Sequence, residues 1–99
     1  MDYLDPWYTV PNPAHIEGQL KSELPRNHVL FGVKATALAQ RQDCDDFLFS
    51  LQDGTNRVAV VHLTFSKNID ARWPRTEFYA NIAAWAAERM NQDHTEFNA

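Results

Sequence analysis

Ninety-nine residues make one domain rather than two. An apolar share of 44% with only 3 Gly and 5 Pro excludes a disordered or low-complexity chain. A net charge of −4 without a Lys/Arg patch excludes a general nucleic-acid binder, and the one cysteine, Cys44, excludes an internal disulfide.

Residues 1–11 read as an aromatic arm carrying Tyr3, Leu4, Trp7, Tyr8 and Val10. Pro6 and Pro11 disfavour a helix there. Loose chain would expose several large apolar groups, so an arm lying across the domain is expected. Asp2 and Asp5 stand where a signal peptide needs basic and then apolar residues. The longest apolar run, Ile82 to Ala87, is too short to span a bilayer. The expectation is a cytoplasmic protein with no membrane partner.

Asn12-Pro13 is a helix start, with Asn as cap and Pro in the first turn. Ile16, Leu20 and Leu24 then recur every four residues as one apolar stripe, and Pro25 closes the helix. Glu17 and Lys21 form an i,i+4 pair on its outer face. Gly18 is a poor helix residue, so tertiary packing must hold this segment.

Residues 33–42 carry two signals. Val33, Ala35, Ala37 and Ala39 alternate with Lys34, Thr36, Leu38 and Gln40, as in a strand. Ala, Leu, Gln and Arg are also good helix formers; the alternation favours a strand. Phe47 to Leu51 reads as a strand apolar on both faces, Asp53-Gly54 as a hairpin turn, and Val58 to Phe65 as the next strand. Residues 66–75 read as a polar loop. Phe78, Ile82, Trp85, Ala86 and Met90 recur with helical period, capped at Thr76 or nearby, and residues 91–99 read as a polar frayed tail. The sum is one α+β domain over residues 1–99. It is a two-layer, three-stranded antiparallel meander between an N-terminal and a C-terminal helix, in the order α-β-β-β-α.

The hairpin carries the most specific chemistry. If Gln52 pairs with Thr55, Asp45 faces His62; if Leu51 pairs with Arg57, Asp46 faces His62. Either register sets a carboxylate about 4.5–5.5 Å from the imidazole at Cβ. That arrangement serves as an oriented general base, or simply as a cross-strand ion pair. Cys44, flanked by Asp43, Asp45 and Asp46, is a poor nucleophile. His15, His28, His62 and His94 lack metal-ligand spacing, and no phosphate-binding glycine loop occurs, so no metal or cofactor is expected. A second cluster is aromatic. Trp7, Tyr8, Trp73 and Tyr79 lie off the helical stripe and are the candidate anchors for a partner protein.

Asp45-Asp46-Phe47-Leu48-Phe49, the Asp53-Gly54 turn and Ala59 to Phe65 resemble a group of small bacterial proteins with a D-D-x-L-F…A-V-V-H-L-T-W pattern. The resemblance extends to Asp5-Pro6-Trp7-Tyr8, Trp73-Pro74 and Asp93 to Phe97. Phe65 stands where that group has Trp. The resemblance implies a stand-alone domain of bacterial or phage origin and no particular activity. Two functional expectations follow. The first is a small acidic protein-binding module with a basic partner, such as a toxin-neutralising immunity or inhibitor protein. The alternative is a small enzyme or ligand-binding domain using His62 with Asp45 or Asp46. A homodimer through a sheet edge or the arm is compatible with both.

Overall fold

The computed structural model describes residues 1–68 and 70–99. It is an α+β protein built on one five-stranded antiparallel sheet in the order β1-β2-β3-β4-β5. The strands are β1 (Trp7–Thr9), β2 (Ala35–Arg41), β3 (Asp46–Leu51), β4 (Val58–His62) and β5 (Arg75–Tyr79). Helix α1 (Pro13–Glu23) follows β1. After β5 come α2 (Ile82–Trp85), a π turn (Ala86–Met90) and α3 (Asn91–Phe97), running on without a break.

The expected three strands are thus the centre of five. The aromatic arm docks rather than floats. Pro6 and Pro11 bracket a three-residue segment that pairs with the outer side of β2, Trp7 opposite Arg41 and Thr9 opposite Ala39. The other added strand, β5, occupies residues read as the start of the C-terminal helix. Phe78 lies in that strand and packs in the α1-side core. The helix begins three residues beyond Tyr79, where Asn81 accepts from the backbone N–H of Ala84 at 2.8 Å, a standard N-cap bond. Thr76 caps nothing; its hydroxyl bonds Pro74 O from within β5.

Alternate residues of a strand point to opposite faces, and the two cores follow that rule. Phe47, Phe49, Leu51, Ala59, Val61 and Leu63 pack beneath Ile16 and Leu20 of α1. Leu48, Val58 and Val60 pack on the other face with Trp7, Trp85 and Met90. The sheet is therefore covered on both sides, and the architecture has three layers rather than two. This accounts for β3 and β4 being apolar at successive positions.

Helix α1 forms as its cap and stripe require: Asn12 accepts from His15 N, and Ile16 and Leu20 are buried. The Glu17–Lys21 pair does not form. The Glu17 carboxylate instead accepts the backbone N–H of Ala37 at 2.9 Å. That N–H is available because β2 carries an extra residue: Ala37 pairs with Phe49 but Ala39 with Leu48. The bulge at Leu38 sends Ala37 into one core and Ala39 into the other. The Leu38 carbonyl, displaced by the same bulge, accepts from Val10 N at 3.2 Å. Residues 33–42 are strand over Ala35–Arg41, with their alternation broken midway.

Strand β4 stops at His62, not at Phe65. The buried Glu23 carboxylate takes the backbone N–H groups of Thr64 and Phe65, at 2.8 and 2.9 Å, and the Thr64 hydroxyl at 2.8 Å. Phe65 has φ +55°, a left-handed conformation that a bulky residue rarely adopts. Claimed by a side chain, these groups cannot continue a ladder. The polar loop expected over 66–75 ends one residue early, at β5; residue 69 lies outside the described residues. The tail is not frayed. Residues 91–97 are helical, and Asp93 is buried at 6% exposure.

Candidate functional site

The β3–β4 hairpin fixes the site. Its turn is longer than the two residues that Asp53-Gly54 suggests. Leu51 N bonds Arg57 O at 3.1 Å, and Gly54 and Asn56 both take positive φ inside the loop. Asp53 ties the loop together, accepting from Thr55 and pairing with Arg57 at 3.1 Å. The hydrogen bonds from Thr55, and then the Arg57 charge, hold the Asp53 carboxyl below the usual carboxylate range. This longer turn selects the register in which Asp46 faces His62. Asp45 does not face it: its carbonyl accepts from Leu63 N at 3.0 Å.

His62 Nδ1 lies 2.7 Å from Asp46 Oδ1. A carboxylate can only accept, so Nδ1 donates, and in the neutral ring Nε2 is then the acceptor. The imidazole side chain is 46% exposed and the Asp46 side chain 14%. A partly buried acid thus orients an accessible ring.

Asp46 is itself held. Arg89, carried by the π turn, donates to Asp46 Oδ2 at 2.8 Å, to Glu77 Oε2 at 3.1 Å and to Asp93 Oδ2 at 2.8 Å. Asp93 also accepts from the Trp7 indole N–H at 2.9 Å and pairs with Arg41 at 3.2 Å. Burial alone would lower the Arg89 pKa. The Tyr79 hydroxyl and the charges of Asp93 and Asp46 outweigh it and raise the guanidinium above its ordinary value. One connected chain therefore runs from the arm through Trp7, Asp93, Arg89 and Asp46 to His62. It links the first strand to the last helix and ends in a side chain open to solvent. Each of these groups orders the next, which is how a fold holds a proton acceptor at a set angle.

A cleft of about 260 Å³ opens beside the pair. Asp46, His62 and Arg89 line it together with Arg75, Glu77, Val60 and the Trp73 ring. Arg75 pairs with His62 across β4–β5, so its guanidinium and the imidazole rise from neighbouring positions of one sheet face. Arg75 is exposed, and no ion pair among the described residues involves it. Arg89, by contrast, has its donors committed to three carboxylates. The cleft thus holds one committed cation, one uncommitted cation, an oriented imidazole and an aromatic wall.

The four aromatics expected to anchor a partner do not converge. Trp7 is 1% exposed and meets Trp85 edge-on at 5.1 Å between ring centroids, so it belongs to the core. Tyr8 is exposed on β1, where its hydroxyl bonds Gln40. Trp73 is exposed beside the start of β5, and Tyr79 is half-buried on β5 with its hydroxyl on Glu77. β1 and β5 are the opposite edges of the sheet, four strand spacings or roughly 19 Å apart. Cys44 sits in the exposed β2–β3 turn. Partial burial of its sulfur, with the Asp46 charge adding, pushes its pKa up.

Sequence reasoning found Asp46 and His62 but not Arg75, Glu77, Arg89 or Asp93. One signal was readable: Arg89 and Asp93 stand at i,i+4. The contribution of β5 was hidden with the strand itself. Among the described residues, no group of three or more His, Cys, Asp or Glu could hold a metal ion, and no helix is long and apolar enough to cross a membrane. Comparison of the chain with protein-family models, with curated proteins and with solved structures finds no match.

Proposed function

We propose that the protein is a small ligand-binding domain, equipped for acid–base chemistry, that acts on an organic anion in the His62 cleft. The observation that carries this reading is the Asp46-oriented imidazole at 2.7 Å, with Nε2 unclaimed, on the wall of a cleft that also holds Arg75. Arg75 would receive the anionic group, because its planar guanidinium suits a carboxylate or phosphate and makes no ion pair among the described residues. Trp73 and Val60 would pack the organic part. His62 would then take or return a proton at Nε2, directly or through a water. Among the described residues no serine, threonine or cysteine lines this cleft, which favours water or the ligand itself as the reacting group over a covalent enzyme intermediate.

The test is an NMR titration with aromatic carboxylates and phosphate monoesters. Saturable shifts at the Trp73 indole and the His62 ring, lost in Arg75→Ala, are the expected result. If no compound in that set shifts these groups, the reading fails. The acidic protein-binding alternative draws its support from the net charge of −4. It ranks second because the exposed Tyr8 and Trp73 lie at opposite sheet edges.

A further inference from the structure

The opposite face of the molecule carries a larger groove, of about 520 Å³, between α1 and the segment that leads into β2. That volume lies within the roughly 300–1,000 Å³ of small-ligand sites. Its walls are apolar: Leu20 from α1 and Leu24 just after it, and Phe31, Val33 and Ala35 from the other side. The loop before it is pinned by buried His28 and Leu30, which turns Val29 and Phe31 outward at 63% and 51% exposure. His28 accomplishes this through Pro74 O at 2.9 Å on one ring nitrogen and Leu30 N at 3.0 Å on the other. The exposed apolar groups are therefore held out by a rigid support, not by a loose loop.

Three charged residues line the groove: Glu17, Lys21 and Lys34. Glu17 is occupied, its carboxylate accepting Ala37 N. No ion pair among the described residues involves either lysine. Two uncommitted ammonium groups thus flank an apolar trough.

Gly18 supplies the independent observation. It lies in the middle of α1 and lines the groove. Glycine is disfavoured in helix interiors, and its usual justifications are a positive φ or a close neighbour. Neither holds here, since a Cβ built at Gly18 would meet nothing within 4 Å. The missing side chain serves no contact within this chain. The position is exposed and leaves that side of the groove open to a bound molecule.

We propose that this groove binds a free medium-chain fatty acid, with the acyl chain over Gly18 between Leu20 and Phe31 and the carboxylate between Lys21 and Lys34. The head group is a single negative charge because the charged groups lining the groove, Lys21, Lys34 and Glu17, sum to one positive charge. The site is on the α1 face, and the His62 cleft is on the other, so the two proposals stand or fall separately.

The experiment uses the full chain with sodium decanoate below its micellar concentration, read by isothermal calorimetry and by amide NMR shifts. Saturable one-to-one binding is expected, with shifts centred on Gly18, Phe31 and Val33. Gly18→Leu fills the space of about two methylenes of the ligand, and so weakens binding by about tenfold or more. Gly18→Ala and Gly18→Leu both raise the melting temperature, since each improves helix propensity. Stability and affinity therefore move in opposite directions, which a folding defect cannot imitate. Lys21→Gln and Lys34→Gln each weaken decanoate by about threefold, in the range of exposed ion pairs, and leave decanol unaffected. Equal affinity for decanol and decanoate would overturn the assignment, as would decanoate shifts confined to the Trp7–Trp85 face. A ligand-free dimer that Gly18→Leu dissociates would give the groove to a second copy and also overturn it.

Discussion

Replacing Asp93 by alanine tests the chain of contacts that ends at His62. The side chain is 8% exposed and receives three donors: the Trp7 indole at 2.9 Å, Arg89 at 2.8 Å and Arg41 at 3.2 Å. The donors do not lose equally. The Trp7 indole N–H has no other acceptor among the described residues, so it is orphaned at about 1–3 kcal/mol. Arg89 keeps Asp46 and Glu77, and Arg41 keeps Asp43 at 2.8 Å. Each guanidinium therefore loses on the order of 0.5–1 kcal/mol. The total is about 2–5 kcal/mol, out of the roughly 5–15 kcal/mol expected for a chain of this size. At about 4–8 °C per kcal/mol, the melting temperature falls on the order of 8–40 °C. Urea unfolding measures the loss, and hydrogen exchange over residues 91–97 shows the helix end opening. Asp93→Asn keeps an acceptor for Trp7 and costs about 1 kcal/mol. The reasoning is refuted if Asp93→Ala costs less than about 1 kcal/mol, or no more than Asp93→Asn. Either result would mean that the last helix is not anchored through this carboxylate.

Glu23→Ala strands the backbone N–H groups of Thr64 and Phe65 and costs about 2–4 kcal/mol. Faster exchange at exactly those two amides, ahead of global unfolding, is the accompanying sign, and unchanged protection there would contradict it. Trp85 Nε1 is buried without a partner, whereas Trp7 Nε1 is bonded. Trp85→Phe is therefore cheaper than Trp7→Phe by at least about 1 kcal/mol in urea unfolding, and equal losses would count against this. The Asp70 carboxyl is lowered to about 2, chiefly by its hydrogen bond with Arg72. Its folded value lies below the ordinary 3.8, so its contribution to stability is present above that pH and is lost as pH falls through about 2. Carboxyl NMR should place the midpoint near 2, and Arg72→Ala should return it towards 3.8. A wild-type midpoint already at the ordinary value would remove the pairing.

The parts of this fold legible in sequence are those decided by near neighbours. Asn12-Pro13 and the Ile16, Leu20 stripe announce α1, and the apolar runs on either side of Asp53-Gly54 announce the hairpin. What escaped was decided at a distance. The segment Trp7–Thr9 is too short to show a period of two, and only pairing with β2 makes it a strand. Phe78 stands four residues before Ile82 and so mimics a helical stripe, although Asn81 was available as the better cap. The bulge at Leu38 leaves no local mark, because Glu17 in another element takes up its free N–H. For the site, the turn residues left two registers open, and only the five-residue loop between Leu51 and Arg57 chose Asp46 over Asp45. Arg75 could not be placed beside His62 until β5 was known to be a strand.

The π turn over Ala86–Met90 widens one coil of the last helix by a single residue. Trp85 and Met90, five positions apart, consequently face the same core. Winding the same residues as an ordinary α-helix, with none removed, would satisfy the backbone equally well and would rotate everything downstream by about 100°. Arg89 and Asp93 would then swing away from the sheet together, leaving the imidazole attached to an acid that nothing holds. The irregular coil acts as a phase adjuster: one surplus residue within Ala86–Met90 aligns the tail with a hairpin roughly forty residues earlier in the chain.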